Sequence, residues 1–182
     1  MLKPSFRLLV RNWWMVAVWL GVIRVESTEM ASAHNTTVLL NAFLSAVAPR
    51  IQPKFVEQLD EVLRKSGHFL GYGVLGALVF FALRNTNRDR LRPRLKRPWG
   101  IYLRDWWRRE WVLIGILFTI ATASYDEIHQ SFIPSRTGRW QDVVLDTCGA
   151  AVMQVGIYWF TKRALRRRLE LEREPELTGA RP

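Results

Sequence analysis

The sequence predicts an all-α, polytopic membrane protein with four transmembrane helices and a short amphipathic interfacial helix. Three observations carry that prediction. Four long apolar runs interrupt the 182-residue chain, and two of them contain no Asp, Glu, Lys or Arg. The 27 Lys and Arg exceed the 16 Asp and Glu by 11, and that surplus falls in alternate connections between the runs. A soluble helix carries a polar face, and the second and third runs have almost none. An apolar fraction of 49% excludes a disordered chain, and a single cysteine, Cys148, excludes a disulfide scaffold.

The first run, residues 8–23, is richest at Trp13-Trp14-Met15-Val16-Ala17-Val18-Trp19-Leu20. The second, 67–83, has only His68 as a titratable group, and the third, 111–125, has no charged side chain. The fourth, 143–160, holds one acid, Asp146. A bilayer core needs about 20 apolar residues in a helix, and flanking Trp and Arg make up the small shortfall. Ala31-Ser32-Ala33 resembles a signal-cleavage site, but Arg24, Glu26 and Glu29 separate it from the apolar stretch. The first run is therefore read as a retained span.

Charge sets the orientation. Lys3, Arg7 and Arg11 precede the first span without an acid, and the first loop is near neutral. The middle connection carries Arg84, Arg88, Arg90, Arg92, Arg94, Lys96 and Arg97 among other cations, opposed only by Asp89, Asp105 and Glu110. The third loop is balanced, and a basic segment opens with Lys162 and Arg163. The positive-inside rule then puts both termini and the middle loop in the cytoplasm. The basic surplus is read as topology and as contact with anionic lipid headgroups, with no nucleic acid partner. Residues 54–65 place Phe55, Val56, Leu59, Val62 and Leu63 at helical spacing after Pro53, a pattern for a helix lying on the outer surface and feeding into span two. Residues 101–111, with Trp106, Trp107 and Trp111 among arginines, read similarly on the inner side. A four-span domain is expected over 1–170, followed by a flexible polar tail over 171–182.

Polar groups at span ends are the informative ones, because burying them is costly. Lys65, His68 and Tyr72 cluster where span two begins. Asp126, Glu127, His129 and Gln130 follow span three, and Arg136, Asp142 and Asp146 lead into span four. The orientation puts all of them on one side of the membrane, away from the cytoplasm. On a continuing helix, Asp126 and His129 share a face, as do Asp142 and Asp146. Asp146, about one turn inside the bilayer, needs neutralising or a partner, with Arg136, Lys65 or a histidine in reach. Gly73 and Gly76, with Gly71, suit close helix packing.

These residues carry a resemblance. Lys65-x-x-His68-Phe69-x-x-Tyr72-x-x-Leu75-Gly76, then Asp126-Glu127-x-His129-Gln130-x-Phe132-x-Pro134-x-Arg136, then Asp142-Val143-x-x-Asp146-Thr147-x-Gly149 resemble the VanZ-like family. Ser27-Thr28-Glu29-Met30-Ala31-Ser32 after span one is similar to members as well. Gly71 stands where an acid often precedes the Tyr, and Ser135 where Gly usually precedes the Arg. The resemblance implies a small bacterial integral membrane protein with four spans, in the inner (cytoplasmic) membrane. It also implies a link to low-level resistance to the glycopeptide teicoplanin, which names a phenotype and not a reaction.

Two functional expectations follow. In the first, the protein acts on a lipid-linked or cell-wall (glycan) substrate at the outer face. His129 would then be acid or base, oriented by Asp126 or Glu127, with His68 beside them. Lys65 and Arg136 would hold an anionic headgroup, with Tyr72, Gln130, Asp142 and Asp146 completing the binding surface. No zinc-type spacing calls for a metal or other cofactor; a divalent cation on His68, His129 and Asp126 is the candidate. In the second, the same cluster is a non-catalytic binding module that alters access to the envelope surface or to a partner.

Overall fold

A computed structural model describes residues 4–27, 52–91, 102–132 and 138–178, with single helical positions at 38, 40, 42, 44 and 46. The long described segments form α1 (Pro4–Glu26), α2 (Pro53–Leu91), α3 (Leu103–Trp106), α4 (Arg109–Gln130) and α5 (Trp140–Thr178), and no strand occurs among the described residues. Among the described residues, four helices are long and apolar enough to cross a membrane. At 23 and 22 residues, α1 and α4 reach about 35 and 33 Å, enough for a bilayer core. The 39 residues of α2 and of α5 reach about 58 Å and must project beyond it.

The expected interfacial helix is therefore not a separate element. Residues 54–65 are the first turns of α2, which runs without a break from Pro53 into the apolar span. Phe55, Val62 and Leu63 stay exposed there, and Lys65 Nζ donates to Glu61 Oε1 at 2.6 Å. At the arginine-rich end, the stretch expected to be helical over 101–111 is broken. Trp107 and Arg108 are extended between α3 and α4. The break turns the Trp107 ring edge-on to Tyr158 of α5, centroids 5.0 Å apart. At the other end of the chain, α5 continues through Thr178, into the stretch expected to be a polar tail. Arg, Leu and Glu are good helix formers, and opposite charges recur four residues apart there.

Helix α2 is the centre of the bundle and packs on α1, α4 and α5. Its Tyr72, Leu75, Val79 and Ala82 meet Val16 and Ile23 of α1 and Ala123 of α4 in one buried cluster. Small residues let the backbones approach, as is usual where lipid provides no hydrophobic drive between helices. A Cβ on Gly149 would collide with the Phe69 carbonyl, and one on Gly76 would lie 3.0 Å from Ala150 Cβ. Gln154 Nε2 of α5 donates to the Gly76 carbonyl at 2.9 Å, fixing the register of that contact. Gly73 is equally tight against Gly149, whereas Gly71 faces open space. The Gly71 carbonyl instead accepts the Trp19 indole N–H at 2.8 Å.

The outside of the bundle is apolar. Trp14, Val18, Leu113, Leu117, Val152 and Phe160 are all exposed. A water-facing surface would not carry such a belt of large side chains, and a lipid-facing one requires it.

Candidate functional site

The polar residues gather at one end of the bundle, where α1 and α4 finish, α5 begins and α2 enters its apolar part. Helix α4 continues through Gln130, the condition on which the shared face was read, and carries Asp126, Glu127 and Gln130 into buried positions. Beyond it, Gly138 returns so close to the end of α4 that a Cβ would strike the Glu127 carbonyl. Arg139 N–H then donates to Glu127 Oε2 at 2.6 Å, so the carboxylate anchors the chain as it enters α5. Pro134 and Arg136 lie outside the described residues.

Asp126 is the hub. Its Oδ2 accepts from the Ser27 hydroxyl at 2.6 Å, the Gln130 amide at 3.0 Å and the Tyr72 hydroxyl at 3.3 Å. Its Oδ1 lies 3.8 Å from Arg24 Nη1. Three neutral donors from α2, α4 and the end of α1 thus converge on one carboxylate, satisfying a charge that burial would otherwise penalise. The Arg24 guanidinium also covers the Tyr125 ring, 5.1 Å from its centroid. Below this pair, a crevice of about 330 Å³ runs between α1 and α4, lined by Leu20, Ile23, Arg24, Thr122, Tyr125 and Asp126.

A second pair lies across α2. Asp146, only 1% exposed, has its Oδ1 3.7 Å from His68 Nδ1. A histidine was among its expected partners, and that one is His68. The separation is an ion-pair distance, too long for a hydrogen bond, and neither atom has a hydrogen-bond partner among the described residues. The His68 ring stacks on Tyr72, centroids 6.2 Å apart, so one face of α2 joins the Asp146 pair to the Asp126 hub.

Other expected residues stand apart. His129 shares α4 with Asp126, but Asp126 directs its oxygens elsewhere, and His129 Nδ1 has no hydrogen-bond partner among the described residues. Lys65 is exposed and engaged by Glu61. Asp142 is half-buried in the first turn of α5, its N–H on the Arg139 carbonyl at 3.0 Å. Among the described residues no group of three or more His, Cys, Asp or Glu is assembled to hold a metal ion, so His68, His129 and Asp126 do not form one.

Sequence reasoning missed Arg24 and Ser27 as site residues. Arg24 counted only as a charge ending span one, and Ser27 only as the start of a familiar stretch. The available signal was positional: a cation and a hydroxyl within one turn of each other, at the span end that faces the acids.

The helices and the buried polar end define a four-helix membrane protein. A family model described as VanZ/LLP1 matches residues 12–162, from within α1 to past the apolar part of α5. The chain belongs to the VanZ/LLP1 family. No curated protein and no solved structure matches it.

Proposed function

We propose that this VanZ-like protein is a binding module of the bacterial cytoplasmic membrane, whose polar end takes the headgroup of a lipid-linked envelope ligand at the outer face. Both termini and the arginine-rich connection are then cytoplasmic, from the distribution of charge. One observation carries the reading: the crevice between α1 and α4 is apolar along Leu20 and Ile23 and ends at Arg24, Tyr125 and Asp126. That is the profile of an amphiphile, with a chain along the helices and a polar group against the guanidinium. Among the described residues Arg24 Nη1 has no hydrogen-bond partner, which leaves it a donor for an anionic headgroup. Asp126 favours binding over proton transfer, because its Oδ2 already accepts three hydrogen bonds. Its part is to orient Arg24, Ser27 and Tyr72.

Acid–base chemistry is the second reading, and the His68–Asp146 pair favours it over His129. An imidazole beside a buried carboxylate, with both facing atoms unbonded, is a group that a substrate proton would engage. Expression of the chain in a teicoplanin-sensitive host separates the readings, with protein abundance followed in each variant. Binding predicts raised resistance that Arg24→Gln abolishes and that His68→Gln and His129→Gln retain. Loss of resistance in His68→Gln at unchanged abundance contradicts the binding reading in favour of acid–base chemistry. Full resistance in Arg24→Gln removes the crevice from the account.

A further inference from the structure

At the opposite, arginine-rich end of the bundle a second groove lies between α2, α3 and α5. Its volume is about 410 Å³, and its walls include Phe81, Arg84, Trp106, Phe160, Ala164 and Arg168. Phe81 and Phe160 are the exposed, lipid-facing end of this groove. Arg84 lies one turn beyond Phe81, and Arg168 two turns beyond Phe160. The groove thus changes from aromatic to cationic over the depth at which a bilayer changes from acyl chain to phosphate.

Arg84 is the informative side chain. It is only 8% exposed, yet no carboxylate among the described residues pairs with it. The guanidinium lies over the Trp106 ring at 4.3 Å, and Nη1 donates to the neighbouring Asn85 Oδ1 at 3.3 Å. Nε has no hydrogen-bond partner among the described residues. Burying a guanidinium with one neutral acceptor and an aromatic face leaves the Nε donor and the charge itself uncompensated, which is costly. An anion supplies the missing acceptors, and a phosphate matches the planar fork.

We infer that this groove is a binding site for one anionic glycerophospholipid, its phosphate on Arg84 and Arg168 and an acyl chain along Phe81 and Phe160. The site is at the other end of the bundle from the Arg24 crevice and does not depend on the binding function proposed for it. A second copy of the chain or a soluble phosphate ester would lack one half of what the groove offers. The lipid has both halves.

Native mass spectrometry of the full-length protein in nonionic detergent tests this with phosphatidylglycerol and phosphatidylcholine of matched chains. The wild-type protein is expected to prefer phosphatidylglycerol by about tenfold, the size of one charge-assisted hydrogen bond. Arg84→Gln is expected to bring that preference down to about twofold or less, the residue of general surface charge. Arg167→Gln removes a cation outside the groove and is expected to keep the wild-type preference. Ala164→Trp fills the groove at an exposed position and leaves Arg84 in place, so it decides the matter if Arg84→Gln does not fold. Equal binding of the two lipids by the wild-type protein overturns the site. So does equal loss in Arg84→Gln and Arg167→Gln, or an undiminished preference in Ala164→Trp. Displacement of the lipid by millimolar inorganic phosphate overturns the lipid as occupant.

Discussion

Helix α1 is fastened to the bundle by one carboxylate at each end, and the two fastenings differ in kind. At the basic end, Asp89 of α2 takes Arg11 at 2.5 Å and Asn12 at 3.0 Å, while Trp13 and Asn12 reach Thr86. The Arg11 side chain is 61% exposed, so that bond is an ion pair at the edge of water. At the acid end, Asp126 is nearly sealed and is served mainly by the neutral Ser27, Tyr72 and Gln130. The first arrangement is tolerant, because a solvated ion pair loses little when disturbed. The second is not, since each donor and the charge itself lose their partners together. The densest cluster of hydrogen-bonded polar groups is therefore at the acid end of the bundle, and the candidate site is there.

The sharpest way to break that contrast is to remove the two carboxylates in turn. Asp126→Ala is expected to destabilise the protein by about 2–4 kcal/mol, counting three membrane hydrogen bonds and the donors left unpaired. The midpoint of thermal unfolding in nonionic detergent reads it. Asp89→Ala is expected to cost less than about 1 kcal/mol, and less still at high salt. Equal losses would end the distinction. Next in size is the contact that seats α5 at the acid end. Gly149→Ala drives a methyl into the Phe69 carbonyl and is expected to cost about 1–3 kcal/mol, measured in the same way. Smallest is Trp19→Phe, which removes the bond to the Gly71 carbonyl but keeps an aromatic ring. Its expected cost is about 0.6 kcal/mol, typical of a single hydrogen bond between membrane helices.

Much of this was legible in the sequence, because the physics of spans is local. A run such as 111–125 without a charged side chain admits few structures, and the shared face of Asp126 and His129 was read only on the condition that the helix continues through Gln130. The close packing at Gly73 and Gly76 was legible for the same reason. What failed was junctions. An amphipathic pattern at 54–65 looks the same whether the helix stops at Ser66 or continues, and nothing at Ser66-Gly67 stops it. The break at Trp107 was hidden because the ring that Trp107 meets is on α5, fifty-one residues away in the chain. Partner choice was least legible. Nothing in the spacing of Asp126 and His129 says that the carboxylate faces Ser27, ninety-nine residues distant, and not the imidazole on its own helix. Arg24 was invisible as a site residue because its role comes from the face of α4 that it meets.

The central claim is that the buried acids and His68 form one cluster that opens away from the cell interior. Its most direct test is membrane-impermeant maleimide labelling of intact cells, in a Cys148→Ser background with one new cysteine at an exposed position. Phe132→Cys, beside the acid end, is expected to label without permeabilisation, and Tyr102→Cys, at the arginine end, only after it. The opposite pattern would turn the cluster toward the cytoplasm and contradict the account.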